Sequence, residues 1–192
     1  MTELQLSTAI EEILVARNPR NMQLARAALE PGYYLRAAQY LQGIKDTIII
    51  GTGFPVTSTF ETDGPVGAIA LYDTLEALGA RPILACGPPL SDALIEDYRV
   101  LQLTARDREA ATEQAREQLQ LLQPAAIISI ERPGLASDGR YYNMRGEDIT
   151  ARCAFFDPFL DHASCPTIAI GDGGNEIGMG NIATAISALD IN

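Results

Sequence analysis

The stretch that decides the fold is Thr-Ile-Ile-Ile at residues 47–50, a β-branched run that stops at the Gly-Thr-Gly of residues 51–53. Similar apolar runs recur at residues 82–86, 126–130 and 167–170, and each ends at a glycine or a charged residue. The runs are apolar throughout rather than alternating, which is typical of parallel strands buried on both faces. They therefore predict the strands of a mostly parallel sheet.

Helical segments separate and precede these runs. Apolar side chains recur at helical spacing in residues 66–78 and 108–122, between the strands. Three further helices are predicted ahead of the first strand, at residues 4–16, 22–29 and 33–41. Strands that alternate with helices indicate an α/β fold. We expect a Rossmann-like three-layer arrangement, with a mostly parallel sheet, flanking helices and a helical N-terminal extension.

The composition is that of a soluble globular protein, with 47% hydrophobic and 20% charged residues over 192 positions. The net charge of −11 argues against nucleic acid and membrane surfaces as partners, because both require basic patches. Cys86, Cys153 and Cys165 are far apart and odd in number, which argues against a disulfide framework or a zinc site. The N-terminus lacks the features of a signal peptide, so a cytoplasmic protein is expected.

Ligands of parallel α/β sheets bind beyond the carboxyl ends of the strands, and the first strand ends in Gly51, Thr52 and Gly53. Glycines there let the backbone approach a ligand closely. Glu61 and Asp63 follow just before a helix and could bind a metal, bind an ammonium group or move protons. The alternative for Asp63 is a helix cap. The glycine spacing does not match a dinucleotide fingerprint, so no nucleotide cofactor is expected.

The third strand ends in Glu131 and Arg132, and the loop beyond it carries Asn143 and Arg145. Either arginine could hold a carboxylate through two hydrogen bonds. The alternative is a structural ion pair between Glu131 and one of these arginines.

The fourth strand ends in Gly-Asp-Gly-Gly-Asn-Glu-Ile-Gly-Met-Gly at residues 171–180. Asp172 and Glu176 supply hard oxygen ligands of the kind that magnesium and manganese prefer. The alternative is a glycine-rich turn whose polar side chains only satisfy the backbone. The single histidine, His162, lies in an ordinary connector and is assigned a surface or packing role.

Taken in order, these segments resemble the D-glutamate cyclase-like family, formerly a domain of unknown function. The matching pieces are residues 51–54 with 61–65, residues 131–134 with 141–146, and residues 171–180. The resemblance implies a carbon–oxygen lyase of D-amino acid metabolism that converts D-glutamate to 5-oxo-D-proline and water. We expect one domain over residues 1–192, or a C-terminally truncated form of a longer family domain. A homo-oligomer is a candidate assembly.

The resemblance also assigns roles. Arg132 and Arg145 would hold substrate carboxylates, and Glu61 or Glu131 would move protons. A divalent cation, magnesium or manganese, would be carried by Asp63, Asp172 and Glu176 and would polarise the attacked carboxyl. The full catalytic set is Glu61, Asp63, Glu131, Asp172 and Glu176. The full substrate-binding set is Gly51, Thr52, Gly53, Arg132, Asn143, Arg145, Gly173 and Asn175.

Two alternatives stand beside this interpretation. The turn at residues 171–176 is similar to a metal-binding strand end of haloacid-dehalogenase-like phosphatases, a class of metal-dependent hydrolases. Those enzymes require an Asp-x-Asp motif after the first strand, where this chain has Gly-Thr-Gly. The second alternative is a non-catalytic domain that binds a small ligand, since an α/β fold does not determine function. Turnover of D-glutamate would separate the two classes.

Overall fold

A five-stranded parallel sheet runs through the molecule in the computed structural model, which describes residues 1–17 and 20–187. Its strands lie in the order β5-β4-β1-β6-β7, and every neighbouring pair is parallel. A separate antiparallel hairpin is formed by β2 and β3. In chain order the strands are β1 (Thr47–Thr52), β2 (Pro55–Val56), β3 (Thr59–Phe60), β4 (Arg81–Cys86), β5 (Val100–Gln102), β6 (Ala126–Ile130) and β7 (Thr167–Ile170).

Helices precede the sheet and connect its strands. They are α1 (Glu3–Val15), α2 (Met22–Ala27), α3 (Tyr33–Leu41), α4 (Asp63–Ala77), α5 (Leu90–Leu94), α6 (Arg108–Leu122), α7 (Asp157–Asp161) and α8 (Ala183–Ile186). The predicted helical extension is confirmed by α1–α3. Among the helices of the described residues, none combines the length and apolar character needed to cross a membrane.

The isoleucine run of β1, the central strand of the sheet, packs into the cores on both faces. Ile48 and Ile50 pack into the core on the side of α4 and α5. Ile49 points to the opposite core, which is closed by α6 and α7. All six residues of β1 and all five of β6 are buried. The predicted three-layer α/β fold, with central strands covered on both sides, is therefore confirmed.

The run at residues 167–170 departs from the prediction that it is buried on both faces. It forms β7 as expected, but β7 is an edge strand with β6 as its one neighbour in the described sheet. Thr167, Ala169 and Ile170 are exposed, and Ile168 is half-buried. The apolar sequence therefore predicted the strand correctly. Its predicted burial was wrong, because burial depends on the elements that pack against the strand.

The helix α1 shows an inverted pattern of burial. Its apolar residues Leu6, Ile10 and Ile13 are 51%, 42% and 74% exposed, whereas Ser7 and Glu11 are buried. The Glu11 carboxylate accepts hydrogen bonds from the Ser7 hydroxyl at 2.7 Å and from the backbone N–H of Gly32 at 3.0 Å. Polar contacts therefore join α1 to the segment that begins α3.

The chain leaves β1 and β6 towards opposite faces of the sheet. After β1 it enters α4 on one face, and after β6 it reaches α7 on the other. This divergence opens a crevice between two adjacent strand ends, which is where ligands of doubly wound sheets bind. The loop after β7 lies beside the same crevice, since β7 neighbours β6.

Candidate active site

A cavity of about 330 Å³ lies at the carboxyl ends of β1, β6 and β7, and we call it the acidic cavity. It joins residues from all three predicted strand-end segments and from the N-terminal extension. The lining residues include Arg20, Glu61, Glu131, Asn143, Arg145, Asn175 and Glu176.

Three carboxyl groups meet at this cavity. Oxygen atoms of Glu131, Asp172 and Glu176 all lie within 4.8 Å of one another. Glu131 directly follows β6, whereas Asp172 and Glu176 belong to the loop after β7. Three acidic groups at this separation repel one another when ionised, so the cluster favours a bound cation or a shared proton. We refer to it as the carboxylate trio.

Glu176 is the most buried member of the trio, at 6% exposure. Its two carboxylate oxygens accept hydrogen bonds from the backbone N–H groups of Gly173 at 2.7 Å and Gly174 at 2.8 Å. Burial raises the pKa of Glu176, and the backbone N–H groups lower it in part. The alternative reading of this loop, that its side chains satisfy the backbone, is thus observed for Glu176. It does not apply to Asp172, whose carboxylate forms an ion pair instead.

Two glycines make room for the Glu176 side chain. A Cβ atom at Gly171 would lie 2.8 Å from Cβ of Glu176, and one at Gly173 would lie 2.7 Å from its Oε1. Both separations are shorter than real side chains tolerate. The loop is also fixed to the segment after β6, since the Ile177 N–H donates to the Arg132 carbonyl at 2.9 Å. The glycines therefore let the loop close around one carboxylate.

Glu131 is the residue lining the acidic cavity whose pKa departs most from its ordinary value. Burial, and then repulsion by Glu176, Asp172 and Asp63, raise the pKa of Glu131 from 4.5 to about 8. Its carboxyl group makes no hydrogen bond within the described residues. A carboxyl group with a pKa near neutrality can both accept and donate a proton. Burial, followed by the charge of Asp63, also raises the pKa of the neighbouring Glu61.

Arg20 brings the N-terminal extension to the cavity. Its guanidinium donates to Oδ1 of Asp172 in an ion pair. The positive charge of Arg20 partly offsets the rise in the pKa of Glu131 and of Glu61. Arg20 was not among the site residues predicted from the sequence. No local pattern marks it, because its partner is 152 positions away along the chain.

A comparison with known protein families matches residues 10–192 to the family described as D-glutamate cyclase-like, C-terminal. The chain belongs to the D-glutamate cyclase-like family. It is similar to the human protein D-glutamate cyclase, mitochondrial, with 32% identity over 173 residues. That alignment covers 73% of this chain and 26% of the human protein, so the chain spans about a quarter of its relative's length. The family predicted from the ordered strand-end segments is confirmed.

In this member of the D-glutamate cyclase-like family, Arg132 does not reach the carboxylate trio. Its guanidinium donates to the carbonyl of Thr52 at 2.8 Å and to the carbonyl of Ala154, and it lies over the ring of Phe156. No ion pair joins Glu131 to an arginine within the described residues. The alternative prediction of a structural ion pair between Glu131 and an arginine is therefore wrong. The assignment of Arg132 to a substrate carboxylate stays a prediction.

Three further predicted residues that line the acidic cavity differ in how other groups of the protein engage their side chains. Arg145 is exposed, and its side chain makes no hydrogen bond or ion pair within the described residues. Asn143 stabilises its own loop, because its Oδ1 accepts from the N–H groups of Arg145 and Glu147. Asn175 donates to the carbonyl of Tyr142 at 2.8 Å, and its buried Oδ1 has no partner among the described residues. Arg145 and Asn175 are thus the groups available to a substrate.

Asp63 lies beside the trio rather than within it. It is exposed in the first turn of α4, where Thr62 occupies the N-cap position, and it accepts from the Gly64 N–H at 2.9 Å. It is not part of the clustered group, in which Glu131 stands instead. Its effect on the site is electrostatic, since its charge raises the pKa of Glu131 and Glu61.

The predicted glycine segment after β1 has mixed roles. A side chain at Gly51 would overlap the ring of Phe156, so this glycine serves core packing rather than substrate access. Thr52 is fully buried, and its hydroxyl has no partner among the described residues. Gly53 adopts φ +106°, a conformation that favours glycine. Thr52 and Gly53 line a cavity other than the acidic one, whereas Phe54, the next residue, lines the acidic cavity.

Proposed function

We propose that the acidic cavity cyclises D-glutamate to 5-oxo-D-proline with release of water, as a carbon–oxygen lyase. The observation that carries this proposal is the carboxylate trio, in which Glu131 has a pKa of about 8. Membership in the D-glutamate cyclase-like family and the name of the human relative support the substrate class.

The reaction forms a bond between nitrogen and the side-chain carboxyl carbon and breaks one carbon–oxygen bond. Both protons of the released water come from the substrate ammonium group. Glu61 and Glu131, which both line the cavity, are suited to move them. Glu61 in its ionised form takes one proton from the ammonium group, and Glu131 in its protonated form gives one to the leaving oxygen. Glu131 then takes the second proton from nitrogen and Glu61 gives its proton to the same oxygen, so that water leaves and both carboxyl groups return to their starting forms. Folding the substrate brings amine and carboxyl together, which lowers the entropic part of the barrier.

The trio also fits a divalent cation such as magnesium or manganese. Oxygen atoms of the three carboxyl groups lie within 4.8 Å of one another, and backbone N–H groups fix the orientation of the Glu176 carboxylate. Asp172 and Glu176, joined by Glu131 when it is ionised, would hold the cation. When bound, it would supply positive charge that neutralises the attacked carboxylate. Arg145 at the cavity wall is suited to the other carboxylate.

The test is incubation of the chain with D-glutamate or L-glutamate, with and without manganese, followed by quantification of 5-oxoproline. We expect product from D-glutamate. Glu131→Gln should lower the rate by about 100-fold or more, because it removes the proton-carrying group. Glu117→Gln is the matched control, since Glu117 is exposed on α6, outside the cavity. Binding of D-glutamate without any 5-oxoproline formed would favour a non-catalytic ligand-binding domain instead.

A further inference from the structure

A second cavity, of about 310 Å³, adjoins the acidic cavity, and Pro55, Thr57 and Arg152 line both. We call it the arginine cavity. Its charged lining residues are Arg132 and Arg152, and none of its lining residues is acidic. This is a local reversal of sign in a chain with a net charge of −11.

Arg132 is a buried cation without a full counter-charge. The residue is 2% exposed, and its hydrogen-bond partners within the described residues are the carbonyl oxygens of Thr52 and Ala154, which carry only partial charge. Its Nε has no hydrogen-bond partner within the described residues. Burial lowers the pKa of Arg132. Buried charges are normally paired, because an unpaired one loses its hydration without compensation.

The acidic residue whose charge acts on Arg132 is Asp157, and its carboxylate already accepts hydrogen bonds from other groups. Asp157 accepts a hydrogen bond from the Tyr141 hydroxyl at 2.5 Å and another from the Leu135 N–H at 2.9 Å. It forms no ion pair with Arg132 within the described residues. No carboxylate of the described residues therefore forms an ion pair with Arg132.

Arg152 lies at the rim of the same cavity. It is exposed at the end of a short 3₁₀ turn, Thr150–Arg152, and donates to the carbonyl of Thr57 at 3.3 Å. No carboxylate pairs with it among the described residues. One buried and one exposed guanidinium thus line a single space, an arrangement that suits a small anion.

The other walls of the arginine cavity are neutral. The Thr52 hydroxyl is buried without a partner in the described chain, and Leu90 supplies an apolar surface. The absence of a side chain at Gly53 keeps the space open, since a Cβ there would lie 3.0 Å from Leu90. A wall without acidic groups offers no counter-charge to an ammonium group.

We propose that the arginine cavity binds small carboxylates that lack an ammonium group, and that 5-oxoproline, the cyclised product, is such a ligand. The choice of 5-oxoproline rests on the proposed function. Its carboxylate would lie between Arg132 and Arg152, and its neutral ring would lie against Leu90. D-Glutamate is disfavoured here because its ammonium group meets no counter-charge in this cavity, whereas the adjoining acidic cavity provides one.

The first test uses the intact chain with its arginine Nε–H groups labelled with ¹⁵N and titrated with 5-oxo-D-proline. We expect the Nε–H signals of Arg132 and Arg152 to shift with one dissociation constant, and that of Arg116, on the surface of α6, to stay in place. The uncharged 5-oxoprolinamide should cause no shift. Movement of the Arg145 signal alone would overturn the proposal, as would equal shifts with the amide.

Variants give a second, independent test. Arg152→Gln should weaken 5-oxoproline binding by about tenfold or more, because it removes one charge-assisted contact. Arg116→Gln, on the surface of α6 and outside both cavities, should change it less than twofold. Inorganic phosphate that binds this cavity more tightly than 5-oxoproline would overturn the assignment to a carboxylate.

The ligand is added from outside, so binding is measured without turnover. A chain that binds 5-oxoproline at Arg132 and Arg152 but forms no product would leave this site standing and refute the proposed reaction. A chain that forms product but shows no such binding would refute the site alone.

Discussion

Glu131 concentrates the acid–base chemistry of the site in one side chain. It directly follows β6, adopts φ +47° and makes no side-chain hydrogen bond within the described residues. Because burial and three neighbouring acids raise its pKa to about 8, its protonated form predominates in the folded chain at neutral pH. The unfolded chain ionises the same group near its ordinary pKa of 4.5.

This difference predicts how Glu131 affects stability. Between pH 4.5 and pH 8 the unfolded chain holds fewer protons than the folded one, so the contribution of Glu131 to stability falls as pH rises. Glu131→Gln should therefore have a higher Tm than the wild type at pH 8 to 9, and the gap should close as the pH approaches 4.5. Thermal unfolding at several pH values measures this. Glu117→Gln should show no such trend, and a constant gap would contradict the assigned pKa.

Glu176 is expected to be the residue that most affects cation binding. It is the buried member of the trio, and backbone N–H groups fix its orientation. Glu176→Gln should weaken manganese binding by roughly tenfold or more, since affinity follows the number of charged oxygen ligands. Calorimetric titration with manganese alone measures it. Glu147→Gln is the control, because Glu147 lines the same cavity outside the trio, and equal losses in both variants would count against a cation at the trio.

At the scale of elements, the loop at residues 171–180 depends on where its glycines stand. Gly171→Ala would place a methyl group 2.8 Å from Cβ of Glu176, whereas Gly180 has open space around its Cβ position. We expect Gly171→Ala to destabilise the fold by about 1–3 kcal/mol through overpacking. Gly180→Ala should change the free energy of unfolding by less than about 0.5 kcal/mol. Urea unfolding of both variants compares them, and similar values would show that the loop opens readily.

The strands show how far an element can be predicted from its own sequence. Ranges for β6 and β7 agree with their apolar runs, because a β-branched run ended by a glycine or a charge is a local signal. The short β5 and the β2–β3 hairpin escaped prediction, since two or three residues carry too little pattern. The exposure of β7 was mispredicted because it depends on its neighbours.

At the scale of the whole molecule, the N-terminal extension is joined to the strand-end site by Arg20. Its charge lowers the pKa of Glu131, so Arg20→Gln should raise that pKa further. Carboxyl ¹³C titration by NMR measures the change, with Arg116→Gln on the surface of α6 as the control. An unchanged Glu131 pKa in Arg20→Gln would mean that the ion pair with Asp172 does not influence the acidic cavity.

The family was predicted from the resemblance of the three strand-end segments to those of a known family. The α/β class and the placing of the acids at one edge of the sheet follow from periodicity and from the rule that parallel strands end at one edge. Packing between distant segments brings Glu131 to Asp172 and Glu176, brings Arg20 to the same cluster, and turns Arg132 towards a separate cavity. Side-chain direction and long-range pairing depend on packing between distant segments, and no local pattern encodes them.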